Sequence, residues 1–303
     1  MSTLNTLCTA ILLLGSTQSA LAGARIAVVQ SDELPYYTAP TQAFLDQFDE
    51  PISVVNIQGR YAKAQAIKDR FEDAPPEVFF CLGAKAAYAI KRLFPKTPIV
   101  YASILAPSRF DIQGPYIAGV SMTVPPAAAL SQYVSFFENT KRIGVIRGPN
   151  ITNTRMQDLE DAAARVRVEL LTERARSPKN VVPVVHRLGK DVDAIWLQAD
   201  RAIVNPRVFQ RLVEETRRRH IGLIVESEAM VRAGALFAVV PKHEGVGTQA
   251  AKAVSRILNG TSPREIGVES PTLANVVVNI DTMQNSNLEF DKLLLDFVDI
   301  KIE

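Results

Sequence analysis

Short apolar runs rich in Val, Ile and Phe recur along the chain, separated by longer stretches whose apolar positions repeat with helical spacing. Runs at 25–30, 52–57, 78–82, 98–102 and 117–120 predict strands, with helices such as 62–71 and 84–94 between them. The pattern then restarts. Pro125 and Pro126 open a helix that runs to 137, proline being tolerated in a first turn. Strands are expected at 142–146, 169–172, 194–197, 223–225, 235–239 and 276–280. Helices at 153–166, 178–188, 206–219, 228–232 and 243–258 alternate with them, the last stopped by Asn259-Gly260. Such alternation predicts an α/β fold. The strands are continuously apolar, as strands covered on both faces are, which predicts parallel sheets. Two successive blocks with no low-complexity linker between them predict two Rossmann-like lobes joined by short crossings.

The N-terminus departs from this pattern. Residues 7–15 are apolar but too short to cross a bilayer, and polar residues 16–19 lead into Ala20-Leu21-Ala22. That small-x-small triplet has the form of a signal-peptidase site, so a cleavable signal over 1–22 and a periplasmic mature chain from Gly23 are expected. Cys8 lies inside the leader, far from the cleavage site, so no lipid anchor is predicted. Cys81, in the run Val78-Phe79-Phe80-Cys81-Leu82, is then the single thiol and is expected to be an inert core residue.

Composition narrows the function. Against 34 basic side chains stand 32 acidic ones, a formal charge of +2, which argues against a duplex nucleic-acid binder. Ordinary Gly and Pro content and two cysteines exclude collagen-like, disordered and disulfide-scaffold classes.

In open parallel sheets, ligands bind beyond the carboxyl ends of the strands. The residues just after each strand are therefore the candidates. In the first block these are Gln30, Ser31 and Asp32, then Gly83, Ala84 and Lys85, then Ser103 and Ile104. Gly83 and Ala84 open a helix whose free amides suit an anion such as a carboxylate. In the second block they are Gly148-Pro149-Asn150 with Asn153 and Thr154, Gln198-Ala199-Asp200, and Glu226-Ser227-Glu228. Asn153, Asp200 and Ser227 have helix capping or turn formation as the competing role. Tyr36 and Tyr37, read as a polar loop after the first strand, are candidates for stacking on a ligand, a surface turn beside Pro35 being the alternative.

Catalytic patterns are mostly missing. Gly245-Val246-Gly247-Thr248-Gln249-Ala250 fits a G-x-G-x-x-A fingerprint but sits near the chain end without an acidic ribose partner following, so a helix start packed closely on the sheet is expected. No phosphate-binding loop or G-x-S-x-G elbow occurs. His186, His220 and His243 are isolated, without metal-ligand spacing, and are expected to lie away from the strand-end loops. Trp196, between Ile195 and Leu197, reads as core. No catalytic residue, metal or cofactor is predicted.

Gly119-Val120-Ser121, the run 141–146, the loop 149–154 and the segment 192–200 together resemble the solute-binding proteins of ABC transporters in the tryptophan/tyrosine-binding group. Glu226-Ser227-Glu228, Ala233-Gly234-Ala235-Leu236, the run 245–251, Ile257-Leu258-Asn259-Gly260 and Val278-Asn279-Ile280 continue the resemblance in order. It implies a type I periplasmic-binding-protein fold with three crossings and a ligand cleft. The lobes would be 23–120 plus 236–265, and 121–235 plus 266–303. Gly83 and Ala84 would hold a carboxylate, Asp200 would meet an amino group, and Asn153 and Ser227 would lie in matching loops. Residues 31–37 lack the family's His-Pro-like opening, which leaves the ligand class open.

The reading is a monomeric periplasmic protein that captures a small organic solute, an aromatic amino acid foremost, by lobe closure and presents it to a membrane ABC permease. A sensor that reports occupancy to a membrane receptor is the alternative, and an exported α/β enzyme a more distant one. The expected ligand contacts are Gln30, Ser31, Tyr36, Gly83, Ala84, Ser103, Ile104, Asn150, Asn153, Asp200, Glu226 and Ser227.

Overall fold

The structure is a computed structural model that describes residues 24–286 and 288–303. The leader expected over 1–22 lies outside the described residues. The first lobe opens with β1 (Ile26–Gln30), α1 (Pro35–Leu45), β2 (Ser53–Asn56), α2 (Tyr61–Phe71), β3 (Val78–Leu82), α3 (Ala84–Leu93), β4 (Ile99–Ala102) and β5 (Ile117–Val120). The chain then passes through α4 (Pro126–Phe136), β6 (Arg142–Arg147), α5 (Asn153–Arg165), β7 (Glu169–Arg174), α6 (Pro178–Leu188) and β8 (Ala194–Trp196). Next come α7 (Pro206–Arg218), β9 (Gly222–Val225), α8 (Glu228–Arg232), β10 (Phe237–Pro241) and α9 (His243–Leu258). The last elements are α10 (Pro263–Ile266), β11 (Val268–Glu269), β12 (Ala274–Asn279), α11 (Ile280–Gln284) and β13 (Ile300–Ile302).

Two sheets result, one ordered β11-β5-β4-β3-β1-β2 and the other β13-β12-β10-β9-β8-β6-β7. Every pairing is parallel except β10 with β12. Strand alternation sorts each core into two layers. In β3, Phe79 and Cys81 face α2 and α3, while Val78, Phe80 and Leu82 face α1 and α9. In the second sheet, Trp196 packs with α4 and α5, and Ile195 packs with α6 and α7. Trp196 is a core residue, and burial pushes the Cys81 thiol up.

The chain crosses between the sheets three times, after β5, after β10 and after β11. Each crossing leaves a strand at its carboxyl end, so the carboxyl edges of both sheets meet at one junction. Gln249 of α9 fixes the third crossing: its Nε2 donates to the Ser270 carbonyl at 2.9 Å and its Oε1 accepts the Thr272 amide at 3.1 Å.

Four expectations shift. Phe237–Pro241, assigned from sequence to the first lobe, pairs with β9 and β12 in the second sheet, whereas Val268–Glu269 adds to β5 in the first. Strand runs declare burial but not which sheet they enter, and a two-residue strand leaves no periodicity to read. Tyr36 and Tyr37 lie in the first turn of α1 rather than in a loop, because Pro35 sits at the start of a helix. The start of α9 packs on the first sheet through Val246 and Ala250, but its Gly247 serves a close approach to α1 instead: a Cβ there would stand 2.1 Å from the Pro40 carbonyl oxygen. His243 follows the end of β10 in the second crossing, not away from the strand ends, and its Nδ1 is buried without a partner among the described residues.

Candidate functional site

At the carboxyl edge of the first sheet the chain turns sharply from β3 into α3. Gly83 takes φ +85°, and a Cβ there would lie 2.1 Å from the Tyr37 hydroxyl and 2.6 Å from the Ser31 hydroxyl. Ser31, 4% exposed, accepts the Ala86 amide at 2.9 Å and so occupies one of the free donors at the start of α3. The Ala84 and Lys85 amides have no partner among the described residues. Tyr36, 44% exposed, donates its hydroxyl to Tyr37 at 3.2 Å, and the two rings meet edge to face at 4.4 Å. Burial, followed by the Tyr36 hydrogen bond, pushes the Tyr37 hydroxyl well above its ordinary range, so it stays protonated.

Of the other candidates on this edge, Gln30 is engaged with Thr41 at 2.7 Å, tying β1 to α1. Ile104 is packed in the core. Ser103 follows β4 with φ +58°, a strained value for a residue with a side chain, and its hydroxyl is buried without a partner among the described residues.

The edge of the second sheet is built from ionised side chains. Asp200 accepts the Asn150 amide at 2.9 Å, the Asn150 side-chain amide at 2.7 Å and the Ala202 amide at 2.9 Å. It is buried, and Gly148 leaves it room, since a Cβ there would stand 2.1 Å from its carboxylate. Because Asn150 donates its Nδ2 to Asp200, its own Oδ1 is left to accept from elsewhere. Glu226 accepts from Arg155 at 2.6 Å and from the Ala199 amide at 3.1 Å. Arg155 also donates to the Gln198 side-chain oxygen at 2.9 Å, while Gln198 Nε2 is buried with no partner among the described residues. Arg147 donates to Asn153 at 2.6 Å, and Ser227 caps α8 through the Met230 amide. Thr152, not Asn153, caps α5.

Arg155 joins this group without having stood among the candidates, and Gln198, a strand-end candidate, joins it without having stood among the expected ligand contacts. Arg155 had a readable signal: a cation in the first turn of a helix opposes the helix dipole, and such a placement asks for a specific partner. A cavity of about 390 Å³ lies beside the crossings, lined by Ser121, Thr123 and Ser270 on one side and by Arg155, Asp158 and Arg165 of α5 on the other.

The family model for ABC transporter substrate binding proteins matches residues 48–298. A tyrosine-binding protein of Clostridioides difficile (strain R20291) is 22% identical over 254 residues, covering 81% of this chain and 72% of that protein. Among solved structures, a ligand-free, open substrate-binding protein with adhesive properties from Clostridium difficile superposes with a TM-score of 0.72 at 18% identity, over 92% of this chain and 98% of that one. A domain from Streptococcus pneumoniae in complex with L-Trp gives a TM-score of 0.55 at 19% identity, over 91% and 100%. The chain belongs to the ABC transporter substrate-binding protein family.

Proposed function

We propose that this member of the family captures a small aromatic carboxylate, an aromatic amino acid foremost, between its two lobes. The observation that carries this reading is the start of α3. Two main-chain amides without partners among the described residues, Ala84 and Lys85, stand beside a positive helix end, and the neighbouring Tyr36 ring is exposed. The amides would take the carboxylate, and Tyr36 would cover an apolar ring. Across the junction, Asn150 Oδ1 and Glu226 would accept from an amino group, with Asp200 holding Asn150 in place. In this assignment Ser31, Gly83 and Ser227 shape the loops, and Asn153 orients Arg147.

The names of two relatives, one a tyrosine-binding protein and one a complex with L-Trp, support an aromatic ligand. Family membership implies a small-molecule ligand and a membrane permease as partners, outside the cytoplasm. Among the described residues no helix is long and apolar enough to cross a membrane. We further read the protein as a monomer exported through the leader 1–22, binding no nucleic acid and catalysing nothing. The non-catalytic reading draws on the cleft's ionised side chains, which pair with amides and with each other rather than forming a nucleophile and base.

Thermal unfolding of the ligand-free protein against L-Tyr, L-Trp, L-Phe and their deaminated acids tests the proposal. At a hundred times its Kd a ligand stabilises by about 2.7 kcal/mol, which for a chain of this size is a shift of roughly 5 °C or more. A shift of that size with any of these acids supports the reading. No shift with any of them, in protein shown by mass spectrometry to be empty, overturns it.

A further inference from the structure

The net charge of +2 conceals a steep gradient inside the second lobe. Residues 174–219 hold eleven Arg and Lys against five Asp and Glu, whereas 274–303 hold two against six. Residues 24–120 of the first lobe hold ten of each sign. Three of the five acidic groups in the basic stretch are engaged inside the lobe. Asp193 accepts the main-chain amides of Lys141 and Arg142 at 2.7 and 2.8 Å, and Asp200 and Glu215 are each 3% exposed.

The remaining cations are arranged. On α6, Lys179 and His186 share one stripe with Val182 and Pro183, Lys190 follows just past the helix end, and on α7 Arg207, Arg211 and Arg218 form another that also carries the exposed Glu214. The two helices pack side by side over the same core layer. Between the stripes runs a groove of about 430 Å³, lined by Lys179, His186 and Arg211 with Val182, Pro183 and Val208. Beneath it the buried Glu215 carboxylate accepts from His186 at 2.6 Å, Arg219 at 2.6 Å and Arg218 at 2.8 Å, which fixes two arginines and an imidazole against the lobe. Lys179, Lys190, Arg207 and Arg211 are exposed and make no ion pair among the described residues.

We propose that this outer face of α6 and α7 docks on an anionic phospholipid surface. The cations are spread along two adjacent helices instead of converging on one point, so they match a flat polyanion better than a single phosphate or carboxylate. Pro and Val between them offer an apolar strip to the headgroup boundary instead of polar partners. The acidic C-terminal stretch packs on the other face of the second sheet with α4 and α5, so an anionic surface attracts one side of the lobe and repels the other. A protein that serves a membrane permease works within reach of such a surface. The inference stands apart from the identity of the captured solute.

Sedimentation with vesicles tests it. Full-length processed protein should bind vesicles of 70% phosphatidylcholine and 30% phosphatidylglycerol in 50 mM NaCl, and release from them at 300 mM as charge is screened. Each cation near such a surface strengthens binding roughly fivefold, so Lys179→Gln with Arg211→Gln should weaken it about 25-fold. Both side chains are exposed, and an unchanged melting temperature would show the variant folded. Absence of binding to these vesicles, or binding indifferent to the double substitution, overturns the proposal. So does binding to native membrane vesicles that protease treatment abolishes, which would assign the face to a membrane protein.

Discussion

The carboxyl edges of the two sheets meet at the same three crossings yet present polarity in different ways. On the first edge the polar groups are main-chain amides and hydroxyls, held by tight packing around Gly83, Tyr37 and Ser31. On the second they are ionised side chains, Asp200, Glu226 and Arg155, held by one another and by loop amides. The first edge is fixed by excluded volume, which does not respond to salt or pH. The second is fixed by charge-assisted hydrogen bonds, which are strong while every partner is present and costly once one is removed.

The largest effect is expected where the packing is tightest. Gly83→Ala places a methyl inside van der Waals contact of two hydroxyls and forces a positive φ on a residue with a side chain. Strain and overpacking together should cost about 4 kcal/mol, read as a lowered urea midpoint, with loss of the ligand-induced thermal shift. A variant that kept both would show that the turn has slack and that the contrast with the second edge is false.

Asp200→Ala should come next. It leaves the Asn150 and Ala202 amides facing a buried gap and should cost about 2 kcal/mol in chemical denaturation, with weaker binding as Asn150 loses its orientation. Asp200→Asn, which keeps the shape but turns one acceptor into a donor, should fall between wild type and the alanine variant. If Asp200→Ala abolished binding at full stability, Asp200 itself would be the ligand contact.

The smallest expected effect concerns pH, and it asks whether electrostatic bracing extends through the second lobe. Burial alone would raise the Glu215 carboxyl, but hydrogen bonds from Arg219 and His186 and the nearby charges hold it below its ordinary value of 4.5. A depressed folded value means that its stabilisation is complete above pH 4.5 and fades as pH falls through the lower folded value. Glu215→Gln should therefore flatten the acid limb of the stability profile, followed by thermal melts from pH 6 to 3, and a parallel profile would refute the bracing.

Much of this architecture was legible beforehand. Strand runs such as Val78–Leu82, and helices Pro178–Leu188, Glu228–Arg232 and His243–Leu258, fall where apolar spacing and Pro, Ser and Asn-Gly signals put them. The α3 start was found as a glycine followed by a helix. The helix holding Tyr36 and Tyr37 is not legible, because its polar first turn follows a mostly polar four-residue loop and its own Pro40 mimics a breaker. The whole-chain charge likewise hid the basic face of α6 and α7, since a sum has no position.

What the sequence determined, then, is which residues are buried and in what local form, because side-chain periodicity and chain-end chemistry act over a few neighbouring positions. It also placed candidates at strand ends, which follow from strand direction. Only the tertiary structure decided that β10 joins the second sheet, that Arg155 reaches Glu226 across 71 positions, and that Asp200 is enclosed by Asn150 instead of facing open cleft. Those contacts depend on which strands lie side by side. In the order β9-β8-β6 the loops after three strands distant in sequence become neighbours, and a carboxylate's partners are chosen by that proximity.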